Sequence, residues 1–345
     1  MAFSAYIEKL SSIQKELLSY LEDLNNNEDD FQAFLDSLKK SEIMNNKKDF
    51  EIFLYSLLTI SNNHHRHANF FTKIEQILKS LSNDIKNNFT KSEIFNLFKE
   101  NKKIILFLIE EGILINDDSF LTQVIEHSNK EKDYLYYFYP EMLPNPPEKF
   151  NENRKIGENS SYICSLIRQD LVEEFVSYIN KINLKLIENV EPSIFETNKF
   201  LIGKKVSLIQ YAAFFGSIQI FQYLRYNNVK LSPSLWLFAI HSNNAEMINL
   251  LEESQIKPDD DTYKKCFNEA VKCHHNDIAN YFSDYFLQQQ CSNYYSTIKY
   301  YNFSLIQNHN KINEFFLFGL CKKDYVNMVE LLLNEKEIDI NKEII

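Results

Sequence analysis

The sequence predicts an all-α chain, a solenoid of helical hairpins preceded by an all-helical N-terminal region. Three observations carry that expectation. Only 5 of the 345 residues are glycine and 7 are proline, a poor supply for the many turns of a β-sandwich. Apolar residues in the first half step by three and four, the period of a helix face. A hairpin-sized unit then recurs after residue 160.

The first stripe runs Phe3, Tyr6, Ile7, Leu10, Ile13, Leu17, Leu18, Leu21 and Leu24. Phe31, Phe34, Leu35 and Leu38 make a second, behind the acidic start Asp29-Asp30. Phe50, Phe53, Leu54, Leu57 and Leu58 make a third, and Phe70, Ile74, Ile77, Leu78 and Leu81 a fourth. Thr90-Lys91-Ser92-Glu93 is a capping box, with hydroxyl and carboxylate three residues apart, and opens a helix through Phe98. A partner helix from Ile104 to Glu110 is expected to stop at Gly112, a C-cap. Residues 1–139 are thus expected to form antiparallel helical hairpins. Pro140, Pro144, Pro146 and Pro147, with the polar run that follows, place a boundary or surface connection at 140–159.

From 160 to 345 the chain repeats itself. Ser207-Leu208-Ile209-Gln210-Tyr211-Ala212-Ala213-Phe214-Phe215-Gly216-Ser217 aligns with Ser234-Leu235-Trp236-Leu237-Phe238-Ala239-Ile240-His241-Ser242-Asn243-Asn244. Offsets of eight and twelve lead from Ala212 to Ile220 and Leu224, from Ala239 to Met247 and Leu251, from Ala270 to Ile278 and Phe282, and from Leu320 to Met328 and Leu332. Cys164, Val172 and Val176 form a fainter copy. The small residue lets the first helix touch its neighbour, and the later apolar pair seals the second helix into the stack. Ser217, Asn244, Asn276, Asp324 and Asp170 fall near the turns, where side-chain oxygens can cap the second helix. The clear steps are 27 and 31 residues and the outer ones 48 and 50, so insertions are expected near 184–206 and 286–312.

These residues resemble ankyrin repeats. Ser207 to Gly216, then Ile220-Phe221 and Leu224, fit the unit T-P-L-H-x-A-A-x-x-G-H followed by I-V-x-x-L-L without a gap. Glu111-Gly112-Ile113-Leu114-Ile115-Asn116 and Ile338-Asp339-Ile340-Asn341 are similar to its finger. More narrowly, Ser193 to Asn198, Ser207 to Ser217, Ser234-Leu235-Trp236, Ala239 to Asn244 and Lys272 to Asp277 resemble the degenerate ankyrin domain of unknown function abundant in trichomonad protists. That resemblance implies further repeats after residue 345, so the chain is read as a short member or a fragment. It departs from the pattern in lacking Thr-Pro in every unit and the finger glycine in most.

Composition narrows the function. A formal charge of −11 repels phosphate backbones, and no basic stripe offsets it, so nucleic-acid binding is not expected. No apolar run reaches the roughly 20 residues of a bilayer span, and the N-terminus lacks a secretory pattern. Cys164, Cys266, Cys273, Cys291 and Cys321 are odd in number and irregular in spacing, which fits reduced thiols in the cytoplasm. The glycine scarcity leaves no G-x-G-x-x-G, P-loop or G-x-S-x-G elbow.

Chemistry-bearing clusters read as structural. His64-His65-Arg66-His67 follows Asn62-Asn63 and suits a polar helix end or loop. Asp259-Asp260-Asp261 suits a helix start, since calcium needs spaced ligands with a glycine. The carboxylate pairs Glu110-Glu111, Glu173-Glu174 and Glu252-Glu253 diverge on a helix and read as solvated. Trp236 and Phe238 read as core. The expected function is a non-enzymatic scaffold, monomeric and without cofactor, that binds an unidentified protein. Its contacts are placed on the outward side of the first helices and their turns, at Phe214, Phe215, His241, Ser242, Lys272 and Lys322. The alternative is a zinc site at Cys266, Cys273, His274 and His275, with thiolate and imidazole ligand types.

Overall fold

In a computed structural model the described residues are 2–25, 27–129, 131, 133–259, 262–287, 294–306 and 314–335. The helices are α1 (Ala2–Glu22), α2 (Glu28–Lys40), α3 (Lys47–Asn63), α4 (Phe70–Ser80), α5 (Ser82–Asn88), α6 (Lys91–Phe98) and α7 (Lys102–Glu110). They continue as α8 (Asp118–Ser128), α9 (Asp133–Phe138), α10 (Phe150–Ile156), α11 (Tyr162–Arg168), α12 (Val172–Ile182), α13 (Leu208–Phe215) and α14 (Ile218–Tyr226). The remainder are α15 (Leu235–His241), α16 (Ala245–Glu253), α17 (Lys264–Cys273), α18 (Asn276–Tyr285), α19 (Tyr294–Lys299), α20 (Glu314–Lys322) and α21 (Val326–Glu335). Among the described residues there is no strand, only one isolated antiparallel bridge between Asn189 and Ser207. The chain is all-α. No helix among the described residues is long and apolar enough to cross a membrane.

Two compact units divide the chain. One is Met1–Ser61, Arg66–Asp84 and Ala270–Ile345; the other is Asn62–His65 and Ile85–Glu269. The expected boundary at 140–159 falls inside the second unit, and the first joins the two ends of the sequence.

In the first unit, α1 buries Phe3, Ile7, Leu10, Ile13, Leu17, Leu18 and Leu21 of the predicted stripe, while Tyr6 is half-buried and Leu24, beyond the helix end, is exposed. That face packs on α2, α4, α21 and a 3-10 turn at Phe303–Leu305. One polar residue interrupts the stripe. Gln14 is buried, and its Nε2 donates to Ser56 Oγ (2.8 Å) and the Tyr301 carbonyl (2.5 Å), while its Oε1 accepts from Ser304 N and Oγ (3.2 Å each). A buried amide satisfied at both ends fixes one register between α1 and the distant chain segment, because any slip would orphan four polar groups.

The second unit is built from hairpins. Thr90 caps α6 with the expected reciprocal box to Glu93, and α7 ends at Gly112, whose φ of +62° suits glycine. The pairs α6/α7 and α8/α9 lie side by side, with α6 on α8 and α7 on α9. Further on, α11/α12, α13/α14 and α15/α16 form three consecutive hairpins; α13 packs between α11 and α15, and α14 packs on α12. Ala212 and Ala239, on the facing first helices, have no exposed surface. Ile220, Leu224, Met247 and Leu251 are likewise sealed, as the offsets predict. Ala270, Phe282, Leu320, Met328 and Leu332 are buried in the first unit, whereas Ile278 is only half-buried. In the faint copy the spacing differs. Phe175 and Ile179 are buried where Val172 and Val176, both half-exposed, were expected.

The turns within the hairpins share one device. Asp170, Gly216, Asn243, His274 and Asp324 all adopt left-handed backbone, with φ of 52°, 70°, 50°, 59° and 56°. The next amide then folds back in four of the five, as in Ser217 N to Ala212 O (2.9 Å) and His275 N to Ala270 O (3.1 Å). Eleven non-glycine residues among those described sit in this region, each at a cost of roughly 1–2 kcal/mol.

The caps correct the sequence reading. Only Asn244 caps its own second helix, through Glu246 N (2.9 Å) and Met247 N (3.4 Å). Asp170 accepts from Gln219 N and Ile220 N (3.0 Å each), capping α14 of the neighbouring hairpin. Ser217 Oγ donates back to the Ile167 carbonyl (2.5 Å), and Asn276 accepts from Asn302 (2.8 Å). Asp324 pairs with Lys48 (2.6 Å). The turn polars mostly knit neighbours together rather than closing their own helices. The Ile338-Asp339-Ile340-Asn341 finger, Cys291, Asp260 and Asp261 lie outside the described residues.

Candidate functional site

The insertion expected near 184–206 carries no helix and lies within the second unit as an ordered loop. Val190 N donates to the Val206 carbonyl (2.7 Å), closing its two ends. Between them Phe195, Glu196, Thr197, Asn198 and Phe200 are buried. Their backbone is satisfied locally: Asn198 N donates to Glu196 Oε1 (2.8 Å) and Phe200 N to Asn198 Oδ1 (2.9 Å). Thr197 donates from both N (3.1 Å) and Oγ1 (2.6 Å) to the Gly157 carbonyl. Gly157 has φ of +73°, which strains any residue with a β-carbon, and a Cβ there would also stand 2.9 Å from Lys103 Cδ and 3.2 Å from Thr197 Oγ1.

Under the loop is a cavity of about 240 Å³, whose lining includes Lys102, Glu131, Asn159, Glu191, Glu196, Lys204 and Tyr211. Each wall comes from a different element. Lys102 opens α7 and is buried; its ammonium meets Glu131 Oε1 at 2.7 Å and the Ile194 carbonyl at 3.3 Å, over the Tyr137 ring. Asn159, between α10 and α11, donates to the Glu191 carbonyl (2.7 Å) and pins the loop. Arg168 bridges Glu158 (2.8 Å), the Asn159 carbonyl (2.8 Å) and the Tyr211 hydroxyl (2.9 Å). Burial pushes the Tyr211 phenol and the Cys164 thiol above their ordinary values, so both stay protonated at neutral pH. Lys102 and Arg168 are engaged in holding the walls. The arrangement offers shape and hydrogen bonds to a guest.

The expected contact residues fare unevenly. Phe214, His241 and Ser242 are not outward; they are 5%, 2% and 3% exposed. The reason is the loop. Phe200 stacks on Phe214 (ring centroids 5.8 Å apart) and lies tilted against His241 (4.2 Å), covering the side of the first helices that the sequence predicts to be open. His241 is further held by the Asn63 carbonyl (3.2 Å) and Glu269 (2.7 Å), and Ser242 Oγ donates to the Ala239 carbonyl (2.6 Å). Phe215 and Lys272 are half-buried, and Lys322 is exposed. Lys102, Glu131, Asn159 and Tyr211 were not singled out from sequence. Nothing in their spacing marks them, because the wall they form is assembled from four separate elements.

The other clusters take the following places. The His64–His67 stretch follows the end of α3 without helix, and His67 Nε2 bonds the Leu21 carbonyl (2.6 Å). Cys266, Cys273, His274 and His275 are all buried, and among the described residues no three of them bring ligand atoms within 4.8 Å of one another. The His274 ring sits between the Lys272 (3.3 Å) and Tyr301 (3.4 Å) carbonyls. Cys164, Cys266 and Cys273 are buried and form no disulfide, and Cys321 is exposed. Comparison with protein-family models, with curated proteins and with solved structures found no match to this chain in any of the three.

Proposed function

We propose that this chain is a non-enzymatic helical-repeat scaffold, an ankyrin-like solenoid that binds another protein. The observation that carries the reading is the row α11/α12, α13/α14, α15/α16, one hairpin plan repeated three times with the same left-handed turn. Rows of this kind hold an extended surface rigid while their side chains vary, which suits recognition of a partner. The contact surface differs from the one expected at Phe214, His241 and Ser242. It lies at the 190–206 loop and the mouth of the cavity beneath it, where Glu191 and Lys204 are exposed. Buried cysteines without a disulfide suit a reducing, cytoplasmic setting.

The test is affinity capture with the full chain and with Glu191→Lys/Asp133→Asn, two changes at the rim. A partner retained by the parent should drop about tenfold in recovery with the variant, while far-UV circular dichroism stays unchanged. Equal recovery would place the contact elsewhere. Failure of the parent to retain any protein above a charge-matched control would end the scaffold reading.

A further inference from the structure

The first unit holds a second opening, a cleft of about 400 Å³ lined by Lys48, Glu51, Tyr55, Tyr301, Lys322 and Lys323 among others. Its charges do not balance. Glu51 and Asp324 both bind Lys48, at 3.4 and 2.6 Å. Among the described residues this leaves Lys322 and Lys323, and Lys299 beside them, with no carboxylate on their ammonium groups. In a chain with 48 acidic residues to 37 basic, three neighbouring cations without a counter-charge are unexpected. Their mutual field is felt: burial, then Lys299 and Lys322, hold Lys323 below its ordinary value.

The ammonium groups are also placed. Lys323 Nζ lies 5.2 Å over the Tyr301 ring and Lys322 Nζ 5.9 Å over Tyr295 and Phe318. Tyr301 is stacked on Tyr55 (5.4 Å, 18°) and adopts a φ of +56°, a strained backbone for an aromatic residue. Its carbonyl is clamped by Gln14 and His274. The floor of the cleft is therefore a fixed aromatic platform.

We propose that this cleft is an anion site for a phosphate monoester, with Lys322 and Lys323 as its principal ligands. A dianion with three acceptor oxygens can answer several ammonium groups at once, and lysine recognises phosphate as a point charge without the planar fork that carboxylates favour. The inference stands apart from the scaffold reading, whose proposed surface is the 190–206 loop of the other unit; of the contacts expected from sequence it shares only Lys322.

The test uses the full chain and two probes, inorganic phosphate and a degenerate phosphoserine peptide pool, against chloride at equal ionic strength and the same pool after dephosphorylation. Phosphate should raise the thermal midpoint where chloride does not, and the phosphorylated pool should be retained at least about tenfold over its dephosphorylated control. Lys322→Gln, at an exposed position, and Lys323→Gln should each weaken retention by about tenfold. Retention of phosphopeptide well above what phosphate alone can compete for would identify a phosphorylated protein as the source. Phosphate binding without that preference would identify a small phosphate ester. Indifference of the midpoint to phosphate together with equal retention of both pools would overturn the proposal, as would undiminished binding by Lys322→Gln.

Discussion

Replacing Trp236 with alanine should destabilise the second unit by about 3–5 kcal/mol, the largest single-residue cost expected in the chain. Trp236 has no exposed surface, and its Nε1 donates to the Ile256 carbonyl (2.8 Å). The ring meets Tyr263 edge to face at 5.4 Å. The indole therefore bolts α15 to the segment that leaves α16. Truncation opens a cavity between the two and orphans a carbonyl at once, two penalties that compound. Trp236→Phe keeps most of the volume but not the donor, and should cost roughly 1–2 kcal/mol. Urea unfolding followed by circular dichroism measures both, and a Trp236→Ala midpoint close to the parent's would show the site able to collapse. In the parent, Trp236 is the only tryptophan, so its fluorescence reports the unfolding of this unit alone.

The second large effect is alkaline. Burial pushes the phenols of Tyr6, Tyr134, Tyr211, Tyr301 and Tyr325 above their ordinary value, with further raising from Asp49 at Tyr6 and from nearby carboxylates at Tyr134. Tyr20 is pushed up to about 12, first by burial and then by Glu28. A phenol whose folded value exceeds its unfolded one contributes its full stabilisation below the unfolded value of about 10. As pH climbs past that value the unfolded chain releases protons the folded chain still holds, and stability falls. For each fully buried tyrosine the loss is on the order of 1 kcal/mol per pH unit. Tyr134 and Tyr211 act in the second unit, Tyr325 in the first, so neither is spared. Summed, the losses rival the whole stability of a domain within about one to two pH units above 10. Phenolate absorbance and far-UV circular dichroism, recorded together, should therefore show the buried tyrosines ionising in one step with helix loss. A smooth titration near pH 10 with helicity intact would contradict this.

Much of the architecture was legible in the residues because it is local. The α1 stripe, the Thr90 box and the Ala212 and Ala239 columns each follow from spacing within about twenty residues, where the 3.6-residue period dictates which side chains face inward. What escaped is what distance hides. Nothing in the 184–206 composition says that Phe200 will pack on Phe214 and His241, so a side of the first helices read as open is in fact roofed. Likewise the bond from Gln14 to the Tyr301 carbonyl links residues at opposite ends of the chain, and no periodicity announces it. The cavity wall of Lys102, Glu131, Asn159 and Tyr211 was invisible for the same reason. Lys322 was legible as outward-facing, and its role in a cation-lined cleft emerged only once Lys323 and Tyr301 were placed beside it.

The glycine-poor turns leave this protein with an untapped thermal reserve. Asn183, Asn228 and Gln255 carry a β-carbon through left-handed backbone at solvent-facing helix ends. Converting such positions to glycine relieves steric crowding of roughly 1–2 kcal/mol against roughly 0.5–1 kcal/mol of added freedom in the unfolded chain. A sturdier version can therefore be engineered from the loop tips alone, without disturbing the core or either opening.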